Sequence, residues 1–130
     1  MKILLRYIFL IFTLMVILHF IANFTGLYET SIVWIDKVLH ILAGIGIAMI
    51  WIVISERKKV RATLENTVFG TLLFVLIIAI FWELTEFLLL KFLPFYALSL
   101  NIYSPTLMES FGDILADMIG GVLFLFFRNL

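Results

Sequence analysis

The residues best suited to chemistry are carboxylates and an imidazole that lie at helical spacing inside long apolar stretches. They form three pairs, each separated by three or four positions: Asp36 with His40, Glu83 with Glu86, and Asp113 with Asp117. Because residues three or four apart share a helix face, each pair would present its groups together. Oxygen ligands favour Mg²⁺, Mn²⁺ or Ca²⁺, whereas a histidine among them also suits Zn²⁺ or Fe²⁺. The six residues are therefore predicted to ligate a divalent metal ion.

Two members of this set also have the chemistry of a general base. His40 or Glu86 would accept a proton from a water molecule that the metal ion activates. If His40 is a ligand, Asp36 would lie one helical turn away and orient its ring. Such a site would suit a metal-dependent hydrolase or transferase acting on a lipid-linked substrate. The sequence leaves open whether the protein is an enzyme, because no Ser-His-Asp pattern and no phosphate-binding glycine loop accompany these residues.

Placing these acids in apolar segments is energetically expensive. An acidic side chain near the centre of a bilayer costs about 2.5–3.5 kcal/mol on the insertion scale, and less towards the interface. Only two lysines, Lys37 and Lys91, lie nearby in the sequence. The acids must then share protons, face water, pair with a cation or bind a metal ion. A bound cation is the simplest interpretation.

The composition excludes a soluble protein. The 130 residues are 65% hydrophobic and 14% charged, against about 25% charged in soluble domains. The mean hydropathy of +1.22 also excludes a disordered chain, since disorder requires low hydrophobicity and high net charge. The net charge of +0 gives no support for nucleic-acid binding. The absence of cysteine excludes disulfides and Cys-based zinc sites.

Four stretches are long and apolar enough for membrane-spanning helices, which need about 20 residues. They cover residues 3–24, 32–54, 68–92 and 107–127, and residues 94–105 are expected to form the third connection. We interpret the first stretch as a retained helix because its apolar run is long for a signal peptide. Helices joined by short loops pack as antiparallel neighbours. We therefore expect residues 1–130 to form a single transmembrane domain, an all-α bundle of four helices.

The positions of lysine and arginine predict the orientation, because these residues are enriched in cytoplasmic loops. Seven of the nine lie at the termini or between the second and third stretches: Lys2, Arg6, Arg57, Lys58, Lys59, Arg61 and Arg128. Both termini would therefore be cytoplasmic, in a multi-pass protein of the cell membrane. With this threading, the acids and histidines of all four helices fall in the outer half of the bilayer. Membrane lipids would be partners of the protein.

Several of these polar residues also have a purely structural interpretation. Thr106 and Glu109 match a capping box at the start of the fourth helix, which we favour over a role for Glu109 in the site. Asp36 would be stabilised at the water interface by the N-terminus of its helix. Glu86 would instead pair with Lys91 or extend to water.

Other residues are suited to helix packing. For His19 and Asn23 we favour hydrogen bonds between helices over metal ligation. Small residues at intervals of four let helix backbones approach closely. They occur on two helices: Gly44 and Ala48 on one, and Gly112, Ala116 and Gly120 on the other. These faces would bring the acidic helices close enough to share one polar pocket.

Three short motifs follow one another in the sequence: Asp36-Lys37-x-x-His40, Trp82-Glu83-x-x-Glu86 and Gly112-Asp113-x3-Asp117-x2-Gly120-Gly121. In this order, over residues 34–123, they resemble the VanZ-like small membrane proteins and the related YjdF-type family. The resemblance implies a compact helical bundle and a cell-envelope setting, and it supplies no reaction. VanZ-like proteins usually carry Gln where Glu86 stands and Asn where Asp117 stands, so this chain is more acidic. It is also shorter than the YjdF-type proteins.

The sequence supports three classes of function. The first is a protein whose acidic pocket binds a divalent cation and binds or acts on a lipid or a cell-envelope component, including a lipid-linked or cationic ligand. The second is a small proton- or ion-coupled transporter. Many transporters are built from inverted repeats, and the 130 residues contain none, so an oligomer would have to supply this symmetry. The third is a structural bundle whose polar groups only join helices.

Overall fold

The chain is almost entirely helical. A computed structural model describes residues 2–27, 34–58, 63–99 and 106–128, of which 94% are helical. No strand occurs within these ranges. The prediction of an all-α fold is therefore confirmed.

The long helices have the lengths that the hydropathy pattern predicts. The described helices are α1 (Lys2–Phe24), α2 (Trp34–Arg57), α3 (Leu64–Phe92), α4 (Pro94–Ser99) and α5 (Leu107–Arg128). All of them except α4 are long and apolar enough to cross a membrane. This confirms the prediction of four membrane-spanning helices. The predicted start of the second stretch, residue 32, lies outside the described residues.

Helix α2 ends at Arg57 rather than at the predicted residue 54, and two further differences from the sequence prediction have local reasons. Helix α3 begins at Leu64, before the predicted residue 68, because Thr63 caps it: its hydroxyl oxygen accepts a hydrogen bond from the Asn66 amide at 3.3 Å. The predicted connection over residues 94–105 contains α4. Pro94 occupies the first position of α4, where proline is favoured because its missing N–H needs no partner. Residues 100–105 lie outside the described part.

Helix α2 is central to the bundle. It packs against α1, α3 and α5, and α3 also packs against α5. Within the described ranges, α1 packs against α2 alone, and no Cα atom of α1 lies within 8 Å of α3. A core of Ala48, Ile52, Val75 and Phe124 joins α2, α3 and α5. Helices α1 and α3 therefore lie on either side of α2 with a gap between them.

The contact between α2 and α5 is close enough to exclude side chains at two glycines. A Cβ atom on Gly44 would overlap the backbone carbonyl oxygen of Asp117, and one on Gly120 would overlap the carbonyl oxygen of Ile41. This confirms the small-residue faces as the packing surface of the two helices. The close approach also determines which polar groups can meet, since Gly44 lies one turn beyond His40.

The predicted site residues lie towards one end of the bundle, which we call the acidic end. It is the end at which α1 stops at Phe24, α2 starts at Trp34, α3 stops at Phe92 and α5 starts at Leu107. At the opposite end, Arg128 of α5 lies 3.7 Å from Glu56 of α2. At the acidic end, the ammonium of Lys37 of α2 contacts Asp113 of α5, so ionic contacts join α2 to α5 at both ends.

Candidate functional site

His40 is at the centre of the site. It is buried on α2, and its two ring nitrogens face two acids on successive turns of α5. Nδ1 lies 3.0 Å from Oδ2 of Asp117, and Nε2 lies 3.7 Å from Oδ1 of Asp113. With Asp117 ionised, Nδ1 carries the proton and donates to Asp117, because an ionised carboxylate only accepts hydrogen bonds. In the neutral ring, Nε2 then keeps its lone pair facing Asp113.

The residue that bonds to His40 differs from the sequence expectation. Asp36, on the same helix, was expected to orient the ring. Asp117 occupies this position at Nδ1, and it is only 3% exposed. A rotation of α5 relative to α2 would change this pairing, so it depends on the glycine contacts at Gly44 and Gly120. Asp36 instead belongs, with His40 and Asp113, to the residues that offer ligand atoms for a metal ion.

Asp36, His40 and Asp113 form a group whose ligand atoms all lie within 4.8 Å of one another. Opposite ligands of Ca²⁺ are about 4.6–5.2 Å apart, since its bonds are about 2.3–2.6 Å long. Opposite ligands of Mg²⁺ are about 4.0–4.2 Å apart for the same reason. All three ligand atoms are therefore close enough to reach one cation, and the spacing fits Mg²⁺, Mn²⁺ or Zn²⁺ as well as Ca²⁺.

Lys37 adds a positive charge to this group, and the sequence analysis assigned it no partner. Its ammonium contacts Oδ1 of Asp113, the oxygen nearest to His40, and lies 3.4 Å from the carbonyl oxygen of Glu109. The sequence does indicate that Lys37 lies on the same face of α2 as His40, because the two residues are three positions apart. Lys37 neutralises one of the carboxylates that a cation would bind.

Glu83 and Glu86 are not members of the three-residue group. Glu83 is buried, and neither of its carboxylate oxygens has a hydrogen-bond partner among the described residues. Glu86 lines a cavity, described below, and forms no ion pair with Lys91 although both are described. The ammonium of Lys91 instead lies 5.9 Å from the ring centre of Phe87. Metal ligation by Glu83 and Glu86 stays a prediction.

Glu109 has the structural role that the sequence analysis favoured. Its carboxylate accepts a hydrogen bond from the Thr106 amide at 2.7 Å, and its own amide donates to the Thr106 hydroxyl at 3.2 Å. These two bonds are the capping box of α5. Glu109 contributes to the site only its backbone carbonyl, which contacts Lys37.

A cavity of about 690 Å³ lies beside the polar group, in the gap between α1 and α3 and against α2. We call it the α1–α3 groove. Most of its wall is apolar, and its polar wall residues are His19, Asp36, His40, Glu86 and Asp117. These five lie towards the acidic end, whereas Ile50 and Phe74 line the groove further along the bundle. The groove thus has an apolar part along the bundle and an acidic part at the site.

The helices and the buried Asp–His group define a class: small helical membrane proteins with an ionisable centre between two closely packed helices. More specifically, residues 4–130 match the model of a family described as "Predicted membrane protein (DUF2238)", and the chain belongs to this family. No curated protein and no solved structure shows a significant match to the chain.

Proposed function

We propose that this membrane protein binds a divalent cation through Asp36, His40 and Asp113, and that it binds or acts on a lipid or another cell-envelope component beside that cation. The observation that carries the proposal is the grouping of the three ligand atoms within 4.8 Å. Two carboxylates and one imidazole suit Mn²⁺ or Zn²⁺, and the two carboxylates also suit Ca²⁺.

The bond between His40 and Asp117 supports ligation by the other ring nitrogen. Histidines that bind metals nearly always donate their second N–H to a carboxylate, carbonyl or water, which fixes the ring and raises its basicity. Here Nδ1 donates to Asp117 at 3.0 Å, and Nε2 faces Asp113. His40 would therefore be a ligand rather than a base.

If the cation activates water, Glu86 is the remaining candidate for the general base. It lines the α1–α3 groove together with Asp36 and His40, so a ligand in the groove would meet both the cation and this carboxylate. A metal ion lowers the pKa of its bound water, and a nearby carboxylate then accepts the proton. The reaction class would be a metal-dependent hydrolysis or transfer on a lipid-linked substrate.

The membrane setting of the proposal rests on charge. Lysine and arginine at the termini and in the connection between α2 and α3 favour a cytoplasmic location for that side, so the acidic end would face the outer half of the bilayer. The resemblance of the three motifs to VanZ-like and YjdF-type proteins also fits a cell-envelope role.

Metal analysis of the purified protein tests the cation site. The protein would be equilibrated separately with Ca²⁺, Mn²⁺ and Zn²⁺, freed of excess ion and measured for bound metal. We expect about one ion per chain, and at least about tenfold weaker binding in Asp113→Asn, since one of the two carboxylate ligands loses its charge. Glu56→Gln is the matched control, because Glu56 lies at the opposite end beside Arg128. Unchanged binding in Asp113→Asn would contradict the assignment.

A second candidate function is structural, and the contact of Lys37 with Asp113 favours it. This ion pair and the His40–Asp117 hydrogen bond join α2 to α5 directly. In that case the polar groups stabilise the helix pair without a metal ion. Thermal unfolding separates the two: a chelator would leave the melting temperature unchanged, while Asp113→Asn would still lower it.

A further inference from the structure

The geometry points to one occupant for the α1–α3 groove: a membrane lipid whose alkyl chain lies along the groove and whose primary ammonium headgroup lies between Glu86, Asp36 and Trp82. This inference deepens the lipid part of the proposed function and rests on it, while it needs no metal ion.

The groove has the length and the wall of a site for an alkyl chain. Along α2 it extends from Asp36 to Ile50, which is about 21 Å at 1.5 Å per residue. Half of the hydrocarbon core of a bilayer is about 15 Å thick, so the groove can hold one chain of a single leaflet. Its wall beyond the acidic end consists of side chains such as Phe12, Ile47 and Ile78.

The groove is also accessible from the side of the bundle. Helices α1 and α3 have no Cα atoms within 8 Å of each other in the described ranges. Val16 and Phe20 of α1 and Trp82 of α3 line the groove and are each about half exposed, at 54%, 53% and 48%. A lipid would therefore enter laterally from the membrane, without passing through the polar group.

The charges at the acidic end select a cationic headgroup. Asp36, Glu86 and Asp117 line the groove, and no lysine or arginine of the described residues does. Lys37 is not in the wall, because its ammonium contacts Asp113. An anionic headgroup would be repelled by these carboxylates, whereas an ammonium would form charge-assisted hydrogen bonds with them.

Two further features fit a headgroup that donates hydrogen bonds and carries a positive charge. Oδ1 of Asp117 is shielded from solvent and has no hydrogen-bond partner among the described residues, so a wall residue of the groove retains an acceptor for such a donor. Trp82 lies one helical turn from Glu86 in the same wall, and indole rings attract ammonium groups through their faces. Carboxylate and indole together are a common recognition pair for amines.

Binding of hexadecylamine, with hexadecanol as the neutral probe of equal chain length, tests the inference. Native mass spectrometry of the full chain would measure both affinities in the presence of EDTA, so that the metal site plays no part. We expect hexadecylamine to bind at least about tenfold more tightly, the effect of a hydrogen bond to a charged group. Glu86→Gln should reduce the preference for the amine over the alcohol, because one of the carboxylates that face the headgroup is lost, and Glu56→Gln should leave this preference unchanged.

A second pair of variants tests the chain site. Ala43 lines the groove, so Ala43→Phe should weaken both probes, whereas Leu115→Phe, on an exposed face of α5, should weaken neither. Three results would each overturn the inference. The two probes bind with equal affinity, Glu86→Gln binds hexadecylamine as tightly as wild type, or a second copy of the chain closes the groove in a dimer. If the protein binds the amine but no metal ion, only the cation part of the proposed function is wrong.

Discussion

His40 of α2 and Asp117 of α5 are joined by a buried hydrogen bond of 3.0 Å between Nδ1 and Oδ2. This bond makes the position of the ring depend on the position of α5. It also leaves Nε2 facing the neighbouring acid, Asp113, at 3.7 Å. The arrangement gives Asp117 a positioning role that can be separated from ligation.

The first prediction concerns Asp117. Asp117→Asn keeps the size of the side chain but removes its negative charge, so the ring of His40 is held less firmly and becomes less basic. We expect metal affinity to fall by about 10–100-fold, as for other carboxylates that orient a ligating histidine. Titration with Mn²⁺ measures the affinity. An affinity within twofold of wild type would exclude this role for Asp117.

The second prediction concerns Lys37, whose ammonium contacts the same oxygen of Asp113 that a cation would bind. Lys37→Met removes the competing charge and keeps much of the side-chain volume, so metal affinity should rise by about tenfold, the effect of one lost charged contact. Lys91→Met is the control, since Lys91 lies over the ring of Phe92 at 5.6 Å and away from Asp113.

The opposite result for Lys37 also has a clear meaning. If Lys37→Met lowers the melting temperature and creates no tighter metal binding, Lys37 is the permanent counterion of Asp113, and the structural function is the correct one. Removing one partner of a buried ion pair costs about 3–5 kcal/mol, and less for Lys37 because its side chain is 29% exposed.

The third prediction concerns the glycines of α5 and α2. Gly44→Ala places a methyl group against the backbone carbonyl of Asp117, which cannot move without separating the helices. We expect a loss of about 1–3 kcal/mol of stability, or more, from this overpacking. Gly112→Ala is the matched control, because its Cβ would meet only the flexible end of Lys37 at 3.4 Å. It should be neutral or stabilise α5 by up to about 1 kcal/mol.

Thermal unfolding in detergent measures both glycine variants. Metal binding should also weaken in Gly44→Ala, since the acids of α5 would move away from His40. Equal melting temperatures for Gly44→Ala and Gly112→Ala would show that the close contact between α2 and α5 is not required.

The fourth prediction concerns Glu83, which is buried with no hydrogen-bond partner for either oxygen among the described residues. Glu83→Gln removes a group that costs free energy when charged, so stability should be unchanged or higher by about 1 kcal/mol. Metal affinity should stay within twofold, because Glu83 is outside the group of three ligands. A large loss of bound metal would place Glu83 in the site after all.

Much of the fold follows from the sequence because helix length and hydropathy are local properties. The four spanning helices, the capping box at Glu109 and the packing faces at Gly44 and Gly120 all depend on residues within one helix. The meeting of the acids at one end also follows, since antiparallel helices of similar length bring the end of one beside the start of the next.

The details of the site depend on relations between helices, which spacing does not contain. The choice of Asp117 over Asp36 as the partner of His40 depends on how α5 is rotated against α2. The contact of Lys37 with Asp113 depends on the same rotation. The α1–α3 groove could not be predicted either, because hydropathy identifies α1 as a helix but does not tell which neighbours it contacts.

Among the described helices, α1 packs against α2 alone, and this arrangement has a consequence for how such a protein can change. Substitutions on the groove-facing side of α1, for example at Phe12 or Met15, alter the width and shape of the channel while leaving the packing of α2 against α5 intact. The width of the groove thus depends in part on α1, which is outside the ionisable centre, so α1 can diversify without loss of that centre.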